Sequence, residues 1–339
     1  MKGIKIMEKI LPLANPPIAF NQFDTTILSV ILQNEEAINW MYNNFIHISC
    51  TPSGWGSFIT NEMIFDCRFL DTISVKDRTF FNYQDINSLL FRAIKSNYYV
   101  FMCVDKSYLS DCKTNNLHPV LIYGISEDDR KYYIADFDQN SIYKKFFCTF
   151  EEFENAYSAS NHSPSQHMNH EIFIFKLRKK HKNIKLYDIN LDMIQLSLKD
   201  YLDAKYPYSK YMKFDLPDIE KRSHGIAIYP VMKKICFSII ENNLDANHLI
   251  FSLNYSHKVM MLDRVNYINK KFQVNYSTDS FDALKKDAMI CLNLFLKFKL
   301  SENKDLIYKI IQKIETMEQK ERLLFSDLIN EIDKIKQFT

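Results

Sequence analysis

The residues best placed to do chemistry lie in one stretch, HPVLIYGISEDDRKYYIAD, which opens on His118 and closes on Asp136. Two apolar runs flank the charged reversal SEDDRK, a pattern that predicts an antiparallel hairpin centred near Glu127. Such a hairpin sets His118 and Asp136 on adjacent strands, close to opposite each other. A carboxylate in that position holds an imidazole in one tautomer and stabilises its protonated form, which is the base-and-orienter half of a nucleophilic triad. Ordinary hairpins also end in His and Asp, so the pair marks a pocket and still needs a nucleophile to define a reaction.

The surrounding elements follow from periodicity. DTTILSVILQ predicts a short, very apolar helix with Asp24 as its cap. A second helix is expected to end near Ile48, before the breaker-rich loop TPSGWGS, and YQDINSLLFRAIKSN predicts a third. The period then changes: YYVFMCVD, HPVLIYG, KYYIAD, YKKFFCTF and EIFIFKL are rich in β-branched and aromatic residues and read as strands of one sheet. TFEEFENAY inserts a helix, with Thr149 and Glu152 spaced as a capping box. Beyond the basic run KLRKKHKNIK, read as a solvated boundary, the spacing turns helical from about residue 188 to the end. Two domains are expected, residues 1–180 and 181–339.

Charge and composition narrow the function. With 43 basic and 41 acidic residues among 339, the chain lacks the electrostatic footprint of nucleic-acid binding. Its apolar runs are broken well before the roughly 18 residues a membrane helix needs, so no membrane partner is expected. The seven cysteines (50, 67, 103, 112, 148, 236 and 291) form no CxxC pair and follow no leader pattern, which predicts a soluble protein of the reducing cytoplasm.

The order of motifs resembles a known family. A helical N-terminal segment, a strand ending VDKSYL, then LHPVLIYG, YYIADF and FEEFENAY are similar to the papain-like butirosin biosynthesis protein H N-terminal family. They resemble most nearly its closthioamide-type, amide-forming relatives of thiotemplated peptide biosynthesis. HGIAIYPVMKK and LDANHLIFSLNYSHKVMMLDRVNYI look like that family's helical region. The resemblance implies an α+β papain-like cysteine peptidase fold, helices packed on an antiparallel sheet, with a C-terminal helical domain. It implies an enzyme that takes an acyl group from an acyl or peptidyl carrier protein thioester onto a cysteine and passes it to a small-molecule amine, with no cofactor. The cysteine would open the first long helix, activated by His118 with Asp136 behind it; a helix N-terminus and an imidazolium both favour thiolate.

That cysteine is absent. Its expected position falls within NQFDTT near Gln22, and no residue from Met1 to Ser49 is a cysteine. Three readings remain open. Cys50 is the nearest thiol, although it ends a helix instead of opening one. Thr25 or Thr26 supplies a hydroxyl beside the cap. Or the site has lost covalent catalysis, and Gln22, His118 and Asp136 bind by hydrogen bonds, making the chain a scaffold for an acylated carrier protein or its product. A cysteine peptidase is a weaker alternative with the same gap. Asp105 in VDKSYL is either a substrate-binding carboxylate or a turn cap. His162, His167 and His170 have usable spacing but no Cys or clear carboxylate companion, so no metal site is expected. His257, Lys258 and Arg264 fall on a helix with Met260 and Met261, where core on one face and solvated charge on the other is the ordinary pattern.

Overall fold

A computed structural model describes residues 8–60, 67–75, 86–111, 117–139, 141–161, 171–178, 187–206, 221–241 and 248–338. In chain order the elements are β1 (Glu8–Ile10), α1 (Gln22–Ile31), α2 (Ala37–Asn44), β2 (His47–Cys50), β3 (Gly56–Ile59), β4 (Leu70–Val75), α3 (Ile86–Lys95), β5 (Tyr99–Asp105) and β6 (Leu117–Ser126). They continue with β7 (Lys131–Phe137), β8 (Tyr143–Thr149), α4 (Phe150–Asn161), β9 (Ile172–Leu177), α5 (Leu191–Leu202), β10 (Ser223–His224), α6 (Ile228–Ile240), α7 (Leu249–Phe272), α8 (Asp279–Ser301) and α9 (Asp305–Phe338). The class is α+β, with antiparallel sheets.

The chain forms two compact units. The first comprises Met1–Ala37 and Glu62–Ile184, the second Ile38–Asn61 and Lys185–Thr339. The later boundary falls close to the expected residue 180, but the expected continuous first domain is interrupted. Residues 38–61 belong with the helices because Arg264 of α7 caps the end of α2, donating from Nε to Tyr42 O and from Nη2 to Phe45 O, both at 2.7 Å. A cation there satisfies carbonyls that a helix C-terminus leaves without partners.

In the first unit a seven-stranded sheet runs β4-β9-β5-β6-β7-β8, with β1 added against β6. Strand β6 is long enough to pair with β5 over Leu117–Ile122 and with β1 over Gly124–Ser126. A register shift between Ile122 and Gly124 separates the two stretches. A side chain at Gly124 would meet Lys9 O at 2.9 Å, so glycine is what lets β1 close on the bulge. Helix α1 is buried on nearly every residue and packs on β6 and β7. Its cap is Asn21, not Asp24: Asn21 has extended backbone and its Oδ1 accepts from Asp24 N at 2.8 Å. The capping box of α4 forms as spaced, Glu152 N donating to Thr149 Oγ1 and Thr149 N to Glu152 Oε2.

In the second unit α5–α9 bundle around a small sheet ordered β10-β2-β3. The expected helix to Ile48 stops at Asn44; HISC is instead a strand, paired with GSFI across the TPSGW reversal. Helix α6 is entered through Gly225, at φ 53°, where a Cβ would lie 2.2 Å from Tyr201 O. No helix among the described residues is long and apolar enough to cross a membrane.

Candidate functional site

His118 and Asp136 meet. Their strands pair with Leu121 opposite Ala135, so Asp136 is the diagonal neighbour of His118 rather than its direct opposite, still on the same face. His118 Nδ1 lies 3.0 Å from Asp136 Oδ1, close enough for charge attraction although not aligned as a hydrogen bond. Asp136 is fully buried, whereas the imidazole is 29% exposed. With Nδ1 turned to the carboxylate, Nε2 is the ring atom left for an outside group.

The carboxylate also meets a lysine that no sequence motif announces. Lys106 Nζ sits 2.6 Å from Asp136 Oδ2 and donates to Phe137 O at 2.7 Å. The lysine follows Asp105, whose Oδ1 accepts from Ser107 N at 2.9 Å and Ser107 Oγ at 2.7 Å, capping a single 3-10 turn over Lys106–Tyr108. Asp105 is thus engaged in fixing the turn that aims Lys106 inward. In the ladder it stands opposite Leu117, while His118 stands opposite Val104. Only the alternation of VDKSYL against its neighbours could have signalled the lysine, and a lone Lys at a strand end reads as solvated.

Gln22 completes the group. It opens α1, is buried, and donates from Nε2 to Ala135 O at 3.0 Å, immediately before Asp136. Its Oε1 is buried with no hydrogen-bond partner. Thr25 Oγ1 donates to Asn21 O at 2.5 Å, the ordinary task of a hydroxyl in a first helical turn. Asp24, fully enclosed in the same turn, is pushed up to about 7 by burial, with the Asn21 amide pulling it back down. Tyr143 of β8 lies against Thr26 and Ser29, and burial pushes its phenol up to about 12. Lys144, directly opposite Asp136 in the ladder, forms with Tyr143 one wall of a cleft of about 730 Å³; Leu13, Asn15 and Pro16 form the other.

Cys50, the alternative nucleophile, ends a strand and does not open a helix. It lies in β2 of the other unit, fully buried between Gly56 and Ser223 in the ladder. Burial pushes its thiol up to about 12, against the weaker opposing pull of Arg222. That is the reverse of the depressed thiol a nucleophile needs. Cys103 is buried within β5. Cys112 and the tract His162, His167 and His170 lie outside the described residues, and no group of three or more His, Cys, Asp or Glu among the described residues could hold a metal ion.

The second unit carries a buried polar cluster where solvated charge was expected. Glu321 of α9 takes Lys258 Nζ on Oε1 at 2.6 Å and Tyr229 OH on Oε2 at 2.7 Å, with Tyr201 OH at 3.3 Å. His257 donates from Nε2 to Ile46 O at 2.9 Å, which leaves Nδ1 to accept from Lys258 Nζ at 3.0 Å. Burial, then the neighbouring Lys258, holds His257 well below the ordinary imidazole range, so it is neutral. All of these residues, and Arg264, are inside: Glu321 of α9 meets Lys258, while Arg264 is held by the carbonyls of Tyr42 and Phe45. Each charge is paired, which is the condition for burying it.

No family model matches the chain, and no curated protein matches it.

Proposed function

We propose that this protein is a papain-like homologue of acyl- and amide-transferring enzymes that holds its ligand without forming an acyl-enzyme. The observation that carries the reading is Gln22 at the head of α1, its amide fastened to Ala135 O beside the His118–Asp136 pair. In the fold that the sequence resembles, the nucleophilic thiol occupies this place; a carboxamide has neither the charge nor the leaving-group chemistry to replace it. The ligand class follows from the same resemblance, an acyl or peptidyl carrier protein bearing a thioester, and the protein acts as a scaffold for it. A second reading is favoured by the part-exposed imidazole. His118, through Nε2, takes a proton from an amine attacking a bound thioester, a contribution typically of about 10² to 10⁴ in rate. A peptidase reading has the same missing thiol against it.

The test is incubation with an acylated carrier protein, read by intact mass and by binding. The acylated form is expected to bind more tightly than the unacylated one, with no covalent adduct. His118→Ala is expected to weaken binding. Gln22→Cys is expected to gain a thioester adduct, the new thiol displacing the carrier's pantetheine thiol. A stoichiometric adduct on the natural protein, lost on replacing one cysteine, overturns the non-covalent reading; equal binding of both carrier forms overturns the ligand class.

A further inference from the structure

Strand β8 closes the seven-stranded sheet on one side, with no further strand beyond it among the described residues. Its ladder with β7 is bounded by two bonds between directly opposite residues, Asp138 N to Ile142 O and Phe150 N to Arg130 O, both 2.9 Å. Hydrogen-bonded pairs alternate along an antiparallel ladder, so Lys144, Phe146 and Cys148 turn their N–H and C=O toward β7. Tyr143, Lys145 and Phe147 therefore direct theirs to the open edge. The cleft of about 730 Å³ runs along this edge, because consecutive residues from Ser141 to Lys145 form one wall, which a single face of a strand cannot do. The other wall is Leu13–Pro16 with Ala19, pinned by Ala14 N donating to Ser29 O at 2.7 Å. Lys144 is answered by Asp138 at 2.6 Å. Lys145 makes no ion pair among the described residues, and none of the described residues lining the cleft is acidic.

We propose that this edge takes up an extended acidic peptide segment as an added strand, its backbone paired with Tyr143 and Lys145 and a carboxylate on the Lys145 ammonium. An open edge is a template for another strand, and main-chain pairing supplies affinity while side-chain contacts supply selection. The two walls decide between occupants. A second copy would have to bring its β8 past its own Leu13–Ala19 wall, which would stand where the other copy's strand must lie. A single extended segment carries no such wall. A compact anion would meet Lys145 but leave the outward N–H and C=O of Tyr143 and Lys145 without partners, and the cleft follows them. The charge of Lys145 selects an acidic segment over a basic one. The edge is also held ready: Ser141 N donates to Asp138 O and Ile142 N to Asp138 Oδ1, both at 2.9 Å, fixing the turn that starts the strand. Preorganisation of this kind lowers the ordering cost of binding. The proposal does not depend on what His118 meets.

The probe is a labelled synthetic peptide of about eight residues, alternating threonine and valine around central glutamates, titrated into the full chain by fluorescence anisotropy. Saturable binding is expected. Amide exchange followed by NMR is expected to slow at Tyr143, Lys145 and Phe147, whose N–H groups point outward, and to change little at Lys144 and Phe146, already bonded to β7. The same peptide N-methylated at alternate residues loses its donors and is expected not to bind, as is a version with lysine for glutamate. Lys145→Glu, at an exposed position, is expected to weaken binding about tenfold or more, the effect of losing an anchor, and to turn the preference toward the lysine peptide. No binding, equal binding of the N-methylated or lysine peptide, or indifference to Lys145→Glu overturns the proposal. So does self-association in sedimentation that slows the same three amides without peptide.

Discussion

Replacing Lys106 by Met tests the electrostatic design of the site. The side chain of Lys106 is 3% exposed, that of Asp136 fully buried, and their charges are 2.6 Å apart. Methionine fills nearly the same volume but leaves a buried carboxylate without its nearest cation and Phe137 O without its donor. Breaking a buried pair from one side costs about 3–5 kcal/mol. His118 contacts the same carboxylate at 3.0 Å, yet it is 29% exposed, so water screens its share and His118→Gln is expected to cost about 1 kcal/mol or less. The structure thus assigns stability to the lysine and leaves the imidazole available for chemistry. Urea unfolding at pH 7, with hydrogen exchange of β5–β7 as the local readout, measures both. In the double variant Lys106→Met, Asp136→Asn, the loss is expected to fall well short of the sum of the singles, because the residues touch. Additive losses, or a histidine substitution as damaging as the lysine one, would refute the reasoning.

Three further outcomes follow from buried groups elsewhere. Asp24 holds its proton more tightly folded, at about 7, than its ordinary 3.8. Its contribution is therefore full below about pH 4 and lost as pH rises to 7, on the order of 4 kcal/mol. Faster exchange of α1 amides across that window, flattened by Asp24→Asn, checks it. His47 runs the other way: burial first, and then the charge of His224, lower it to about 4 from 6.5. Stability of the second unit is present above pH 6.5 and lost as pH falls toward 4, on the order of 3 kcal/mol, and His47→Gln should remove that slope in β2 exchange. Glu321→Gln strands the Lys258 ammonium in the interior and is expected to cost about 3–5 kcal/mol in urea, much of it recovered when Lys258→Met is added.

The parts of this protein that could be read from the chain are those that local patterning decides. The hairpin carrying His118 and Asp136, the strands YYVFMCVD and EIFIFKL, and the Thr149–Glu152 capping box all form because alternation and nearest-neighbour hydrogen bonds suffice to specify them. That residues 1–49 hold no cysteine was equally legible, since it is a matter of residue identity. Tertiary structure decided the rest. FIHISC reads as the end of a helix until GSFI is brought alongside to make it a strand, and strand pairing is a non-local gain. Residues 38–61 leave the first unit because Arg264, more than two hundred residues later, caps α2. Lys106, Lys258 and Arg264 read as solvated charges, because nothing adjacent to them in sequence supplies the counter-group. Each is buried only because a distant chain segment supplies a carboxylate or a free carbonyl at hydrogen-bond distance, and without that partner the desolvation cost would forbid it.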